Sequence, residues 1–327
     1  MALRTLILGG GNALGSYLAG AYEALQGAGE EPDWVAGTSI GAVTAAIIAG
    51  NPPEQRVDRL RSYWAEVTAP NWVPWVRASQ WLGALQTRLT GRPFMFHPRL
   101  PSLSGQPELV GLYDVAPMRR RLDALIDFER LNSGEIKLSV VAVDLEAGAE
   151  VVFDTATTRV TVDHLMGSAA LIPDFPPVRV DDRWLVDGGL AANVPTDPVL
   201  GLEALEDMLC FLVDLFPIQT SVPHDLAGMA MRQSDLTFAC QTERSLRALA
   251  ALDATRPPQR PRVDVVRTSY AAHASETLMK SWDFSQAALS RRWDSGRADM
   301  QAALRRFRTL PQSPPGLTIH PITRADT

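Results

Sequence analysis

The sequence predicts an α/β protein on three observations. Leu3 to Leu8 is an apolar run of strand length that passes straight into Gly9-Gly10-Gly11-Asn12-Ala13-Leu14-Gly15, after which Tyr17, Leu18, Ala21, Tyr22 and Leu25 recur at helical spacing. Trp34-Val35-Ala36 repeats the arrangement as a short buried strand, followed by Gly37-Thr38-Ser39-Ile40-Gly41 and by a helix carrying Ala42, Val43, Ala45, Ala46, Ile47 and Ile48. Leu138 to Val143 is a further strong apolar run of strand length. Strands that alternate with helices in this way belong to the α/β class.

A chain of 327 residues buries a sizeable core and is long for one domain, which favours one large domain with an extension over two equal units. With 46% hydrophobic and 21% charged residues it reads as globular, and its net charge of -6 argues against a nucleic-acid partner, because phosphate binding needs a basic surface. Cys210 and Cys240 are too few for a disulfide framework, and the N-terminus lacks the longer apolar core and the cleavage site of a signal peptide. No apolar run reaches the roughly 20 residues of a membrane span. The expectation is a soluble, cytoplasmic protein. Its five histidines, His97, His164, His224, His273 and His320, are scattered without ligand spacing, so neither a metal nor a cofactor is expected.

The opening glycine-rich turn presents backbone N–H groups to something negative. A phosphate-binding P-loop would need Gly-Lys-Ser/Thr at its end, whereas Gly15 is followed by Ser16 and Tyr17. A dinucleotide cradle would need an acidic residue at the end of the second strand, and Asp33 lies before that strand. The other readings are an oxyanion hole built from the N–H groups of Gly10, Gly11 and Asn12, and a merely structural turn.

Gly37-Thr38-Ser39-Ile40-Gly41 is a G-x-S-x-G pattern. Joining strand to helix, it pushes a serine hydroxyl outward on a strained turn, and glycines two residues either side remove Cβ atoms that would collide. Ser39 also lies at a helix N-terminus, where unpaired N–H groups favour negative charge. The bland alternative is a tight turn with an idle serine.

Further along, Pro52 to Trp64 reads as a covering helix with Val57, Leu60 and Trp64 on one face. Val67 to Pro107 has Arg77, Arg88, Arg92 and Arg99, no acidic residue, and Trp72, Trp75, Trp81, Phe94 and Phe96. Within it, Trp75, Ser79, Leu82, Leu85, Gln86 and Leu89 approximate one helical stripe. Aromatics beside arginines suit a lipid headgroup boundary, so residues 67–107 are a candidate for peripheral membrane contact; the alternative is a helix packed on the core. Arg119-Arg120-Arg121 reads as a solvated helix face.

Asp144 opens a hairpin through Gly148 into Val151, Val152 and Phe153. A helix near His164 leads to Ser168-Ala169-Ala170-Leu171-Ile172-Pro173 and then to Phe175-Pro176-Pro177, where prolines force an extended loop. Arg183-Trp184-Leu185-Val186-Asp187-Gly188-Gly189 places Asp187 at the end of a short strand against a double glycine, with Asn193 and Pro195 beyond. Leu209 to Phe216 reads as a strand and Met229 to Leu252 as a helix with Met229, Leu236, Cys240, Leu246 and Leu249 on its apolar side. Arg256 to Arg262 is a proline-rich connector, Val263 to Val266 a final strand, and Ser281 to Phe307 an amphipathic stretch for docking or dimer contact.

Taken in order, the glycine-rich turn, G-x-S-x-G, Ser-Ala-Ala-Leu-Ile-Pro-x-Phe-Pro-Pro, and Asp-Gly-Gly followed by Asn-x-Pro resemble the patatin-like phospholipases. The similarity is closer to a bacterial branch with a C-terminal extension, through Gly50-Asn51-Pro52-Pro53-Glu54, Val213-Asp214-Leu215-Phe216-Pro217, Asp283-Phe284-Ser285, Arg292-Trp293 and Gly296. The resemblance implies a three-layer α/β/α fold with a mostly parallel central sheet. It implies a catalytic domain at residues 1–200 and an extension at 201–327 that partly completes the sheet and packs on it.

The resemblance further implies a serine lipid acyl hydrolase of phospholipase A type with no catalytic histidine. Ser39 matches the nucleophile, Asp187 the partner carboxylate, Gly10, Gly11 and Asn12 the oxyanion hole, and Gly37 and Gly41 the nucleophile elbow. Two positions depart from the family's pattern, which has glycine at Asn12 and often arginine or lysine at Leu14. Asparagine tolerates left-handed angles, so the turn can survive the change. Two other classes stay open: a catalytically silent lipid- or protein-binding member of the fold, and a nucleotide-dependent oxidoreductase using the glycine turn. A Ser/His/Asp hydrolase is disfavoured, because Ser39 follows only two strands.

Overall fold

Along the first strand Leu6 and Leu8 face one way and Ile7 the other, and both directions are buried. Val35 likewise opposes Trp34 and Ala36, and Phe211 and Val213 oppose Cys210 and Leu212. A strand with two buried faces needs helices on both sides, so the period-2 alternation itself demands three layers. The computed structural model describes residues 2–68, 80–99, 106–107, 110–201, 204–273 and 276–321.

The elements run β1 (Leu3–Leu8), α1 (Ser16–Gly27), β2 (Trp34–Thr38), α2 (Ile40–Ala49), α3 (Pro53–Val67), α4 (Gln80–Thr90), β3 (His97–Pro98), β4 (Tyr113–Asp114), α5 (Ala116–Leu125) and α6 (Phe128–Leu131). They continue with β5 (Lys137–Asp144), β6 (Ala149–Asp154), α7 (Val162–Ser168), β7 (Val178–Val180), β8 (Arg183–Asp187), α8 (Asp197–Leu200), β9 (Met208–Asp214), α9 (Leu226–Asp253), β10 (Arg262–Ser269), α10 (Gln286–Phe307) and β11 (Gly316–Pro321).

The main sheet is nine-stranded among the described residues, in the order β11-β10-β9-β1-β2-β5-β8-β7 with β6 also on β5. Every pairing from β11 to β5 is parallel, while β6, β7 and β8 are antiparallel. This is the expected mostly parallel α/β/α arrangement. Leu18 and Leu25 of α1, Val43 and Ile47 of α2, Leu60 of α3 and Leu289 and Leu304 of α10 fill the core on one face. Val199 and Leu200 of α8 and Leu246 and Leu249 of α9 fill the other.

Chain from beyond residue 200 is integral to the sheet, since β9 pairs directly with β1 and carries β10 and β11 outward. Where the sequence suggested docking or a dimer contact, α10 docks on α1. A Cβ at Gly20 would overlap the carbonyl of Trp293, and one at Gly296 the carbonyl of Tyr17. The two backbones thus meet where neither helix has a side chain.

Several sequence expectations need correcting. Val265 and Val266 lie in β10, yet β11 follows it, because Leu317 and Ile319 half-bury an edge strand that its short polar neighbours concealed. On α9 the buried stripe is Asp235, Ala239, Thr242, Leu246 and Leu249, whereas Met229, Leu236 and Cys240 are exposed. Asp235 is drawn inward by an ion pair with buried Lys280, which rotates the helix away from its purely apolar side. Of the arginine triplet Arg120 is exposed, while Arg119 and Arg121 are half-buried and pair with Asp163 and Glu66. On α4 the buried residues are Ala84 and Thr87, while Leu89 is 69% exposed. Trp72, Trp75 and Ser79 of the aromatic region lie outside the described residues, as does the side chain of Trp81.

Candidate active site

Two adjacent residues of β5 assemble the centre. Val141 pairs with Thr38 at the end of β2, and Ala142 pairs with Asp187 at the end of β8. Because β6 occupies the other edge of β5 from Ser139 to Asp144, β2 and β8 must share the same edge end to end. Asp187 therefore arrives beside the residue that follows Thr38, which is Ser39.

Ser39 sits between β2 and α2 with φ 57° and ψ -126°, a left-handed conformation that is strained for a side-chain-bearing residue. The two glycines of the turn are steric necessities: a Cβ at Gly37 would overlap the Gly41 backbone, and one at Gly41 would overlap the Leu8 carbonyl. The Ser39 N–H donates to Ser168 Oγ at 2.9 Å, and that hydroxyl donates to the Val141 carbonyl at 2.6 Å, so α7 and β5 together hold the turn.

The Ser39 hydroxyl donates to Asp187 Oδ2 at 2.6 Å, and Asp187 Oδ1 accepts from the Gly189 N–H at 2.7 Å. Asp187 is 4% exposed. Burial pushes its carboxyl up to about 6, against the opposing effect of the Ser39 and Gly189 hydrogen bonds. A carboxylate with that basicity, already bonded to a serine hydroxyl, can accept its proton at neutral pH.

The glycine-rich turn comes next to this pair. Gly9 continues the sheet ladder to the Val213 carbonyl at 3.1 Å, and the Gly10 N–H donates to the Asn193 carbonyl at 3.0 Å. Gly10 therefore does not present a free amide; it lines the site as a residue without a side chain, where a Cβ would lie 2.9 Å from Asn193 Oδ1 and 3.1 Å from Ser39 Cβ. The N–H groups of Gly11 and Asn12 donate to no protein atom among the described residues. Asn12 has φ 53°, the left-handed angle that asparagine tolerates best after glycine.

Gly10, Gly11, Asn12, Ser39, Asp187 and Asn193 all face one cavity of about 100 Å³. Its walls are apolar, chiefly Met95, Phe96, Met118, Met166, Phe175 and Trp282, and Asp187 is the one charged side chain among the described lining residues. No histidine lines it; His164, the nearest in sequence to the Ser168 contact, is buried with its Nδ1 engaged by Thr161 and its ring edge-on to Phe153. Sequence reasoning missed the wall residues Met95, Met118, Ser281 and Trp282, and it missed Ser168 as the acceptor of the Ser39 amide. It missed Gln241 of α9 as well, which accepts from the Asn193 N–H at 2.9 Å and donates to the Gly189 carbonyl at 3.2 Å. Among the described residues no helix is long and apolar enough to cross a membrane.

Comparison with known proteins gives two family matches. Residues 6–200 match the model described as patatin-like phospholipase, and residues 236–316 match one described as patatin phospholipase. No curated protein matches the chain. Among solved structures, VipD from Legionella pneumophila is 16% identical with a TM-score of 0.44, over 93% of this chain and 67% of that one. Human GIVD cytosolic phospholipase A2 is 13% identical with a TM-score of 0.44, over 94% of this chain and 60% of that one. The type III effector ExoU is 11% identical with a TM-score of 0.38, and this chain spans 54% of its length.

Proposed function

Because this chain belongs to the patatin-like phospholipase family, we propose that it is a lipid acyl hydrolase working through a Ser39/Asp187 dyad. The observation that carries this reading is the 2.6 Å hydrogen bond from Ser39 Oγ to a buried carboxylate of raised basicity, in an apolar chamber beside two unengaged amides. We read residues 1–200 as the catalytic domain and residues 201–327 as an extension that completes the sheet.

In the first half-reaction Asp187 takes the hydroxyl proton as Ser39 Oγ attacks the ester carbonyl carbon. The negative charge that develops on the carbonyl oxygen is received by the Gly11 and Asn12 N–H groups, which need no reorganisation. Collapse of the tetrahedral intermediate breaks the bond to the alcohol, which leaves with the proton from Asp187. An acyl group remains on Ser39. In the second half, Asp187 removes a proton from water, the hydroxide adds to the acyl carbon, and Ser39 recovers its proton as the free acid departs.

The apolar walls suit an acyl chain and offer the described site no cation for a phosphate. Exposed Leu89 and Phe94, at 69% and 53%, support contact of their own segment with a lipid surface, close in sequence to the wall residues Met95 and Phe96. The test is reaction with a fluorophosphonate, whose phosphorus mimics the tetrahedral intermediate, followed by mapping of the labelled peptide. Labelling at Ser39 that disappears in Asp187→Asn supports the dyad. A folded protein that takes up no label is instead a non-catalytic binding member of the fold.

A further inference from the structure

The oxyanion turn is tied to a cation from the other end of the chain. Residues Asn12–Gly15 form a single 3-10 turn after β1, and the Ala13 carbonyl accepts a hydrogen bond from Arg292 Nη1 at 3.2 Å. Arg292 lies on α10 and is 0% exposed. All five of its N–H groups are engaged. Nε and Nη2 grip Glu276 at 3.1 and 2.7 Å, Nη2 also reaches the Lys280 carbonyl at 2.9 Å, and Nη1 reaches the Asp283 carbonyl at 2.9 Å as well as Ala13.

The bond to Ala13 leads directly to a free amide. The Ala13 carbonyl belongs to the same peptide unit as the Leu14 N–H, and that N–H donates to the Gly11 carbonyl at 3.1 Å. The Gly11 carbonyl in turn shares its peptide unit with the N–H of Asn12, a residue that lines the cavity and whose amide has no protein acceptor among the described residues. A guanidinium, two peptide groups and one open donor thus stand in a single head-to-tail line. Each bond in such a chain polarises the next, and the polarisation is largest in a dry interior.

On the reading of this site as an oxyanion hole, we propose that Arg292 is its remote positioning residue, orienting and polarising the Asn12 N–H through the Ala13–Leu14 and Gly11–Asn12 peptides. Burying a guanidinium is costly, and a clamp between α10 and the turn needs only apolar packing. Glu276 offsets the charge on the Nε and Nη2 side, and Nη1 stands as a charge-assisted donor at the far end of a hydrogen-bond line whose near end meets the developing oxyanion. The same group fixes the pocket wall, because the Lys280 carbonyl it holds opens the turn Lys280–Trp282, and Ser281 and Trp282 line the cavity. Glu276 sets the guanidinium's orientation and is itself held by Tyr270 Oη at 2.7 Å.

Kinetics of Arg292→Gln and Arg292→Lys on a soluble ester test this. Arg292→Gln is expected to lower kcat about 10- to 100-fold, a fraction of what loss of a whole donor costs, with KM within about threefold. Fluorophosphonate inactivation slows by the same factor and stays at Ser39, and Arg292→Lys recovers part of the loss. A folded Arg292→Gln protein with wild-type kcat sinks the proposal. If that variant does not fold, the wild-type protein labelled with nitrogen-15 in asparagine and leucine decides. On forming a trifluoromethyl ketone adduct, the Asn12 and Leu14 amide protons must both move downfield, and movement of Asn12 alone rules out the line. If wild-type protein fails to label at Ser39 at all, the proposed function itself fails, which is a separate outcome.

Discussion

Ser39 and Asp187 are 148 positions apart in the chain, yet their side chains meet at 2.6 Å because neighbouring residues of β5 pair with Thr38 and with Asp187. The Ser39–Asp187 contact is thus a property of sheet register, and a one-residue slip of β8 would carry the carboxylate to the opposite face.

Burial raises the Asp187 carboxyl to about 6, so under the proposed role of its carboxylate as the base kcat/KM should rise tenfold per pH unit below about pH 6 and level off above it. A profile with no inflection between pH 5 and 7 in a protein that stays folded would dismiss Asp187 as the base.

Stability should respond to the same group with the opposite sense. The folded value lies above the ordinary carboxylate value of 3.8, so the contribution of Asp187 is fully present below 3.8 and is lost as pH rises through about 6. Asp187→Asn removes the buried charge, so its melting temperature relative to wild type should climb between pH 4 and pH 7, by an amount equivalent to about 3 kcal/mol at most. Thermal melts at the two pH values check this; a gap that does not change with pH contradicts it.

Gly10 and Gly41 should fail in different ways. Gly10→Ala crowds Ser39 and the Asn193 side chain but meets backbone only at an ordinary 3.5 Å from the Thr38 carbonyl, and should leave a folded protein whose kcat falls at least tenfold. Gly41→Ala sets a Cβ against the Leu8 carbonyl, which cannot move without breaking the β1 ladder, and should cost roughly 3 kcal/mol or more of stability. Denaturation curves and kinetics on both variants separate the two effects.

Asn12 acts through its backbone if the reading of the turn is right. Asn12→Gly keeps the φ of 53° and the N–H, and its kcat should stay within about threefold of wild type. Asn12→Ala strains the left-handed angle and should lose about 1 kcal/mol of stability. A large loss of rate in Asn12→Gly would mean that the side chain itself touches the substrate.

The parts of this architecture that showed in the sequence are those dictated by local physics. β1, β2, β5 and β9 are buried on both faces and read as apolar runs, and the collisions that Gly37 and Gly41 avoid are inherent in any sharp strand-to-helix turn. What stayed hidden depends on partners distant in the chain. Whether the Gly10 N–H is open is decided by the carbonyl of Asn193, and nothing near Gly10 announces it. Arg292 stands out in the sequence only as half of an Arg-Trp pair on an amphipathic stretch, and its burial between Glu276 and the Ala13 carbonyl shows only in the fold. The inward Asp235 hides for the same reason, since its partner is Lys280. The wall residues Met95, Met118 and Trp282 follow no period, because they come from separate loops and helix ends.

The position of β1 between β2 and β9 has a consequence for the order of events during synthesis. Both glycine turns emerge from the ribosome before β9, so one edge of β1 has no mate until Met208 to Asp214 arrives, and Ala13 has no cation until Arg292 does. A nascent chain that has reached residue 200 holds Ser39 and Asp187 beside an open strand edge, the kind of edge that recruits other chains. On the proposed function, the site is therefore completed only after the chain has been made through β9 and on to Arg292, and a product cut short before β9 should aggregate rather than hydrolyse a lipid.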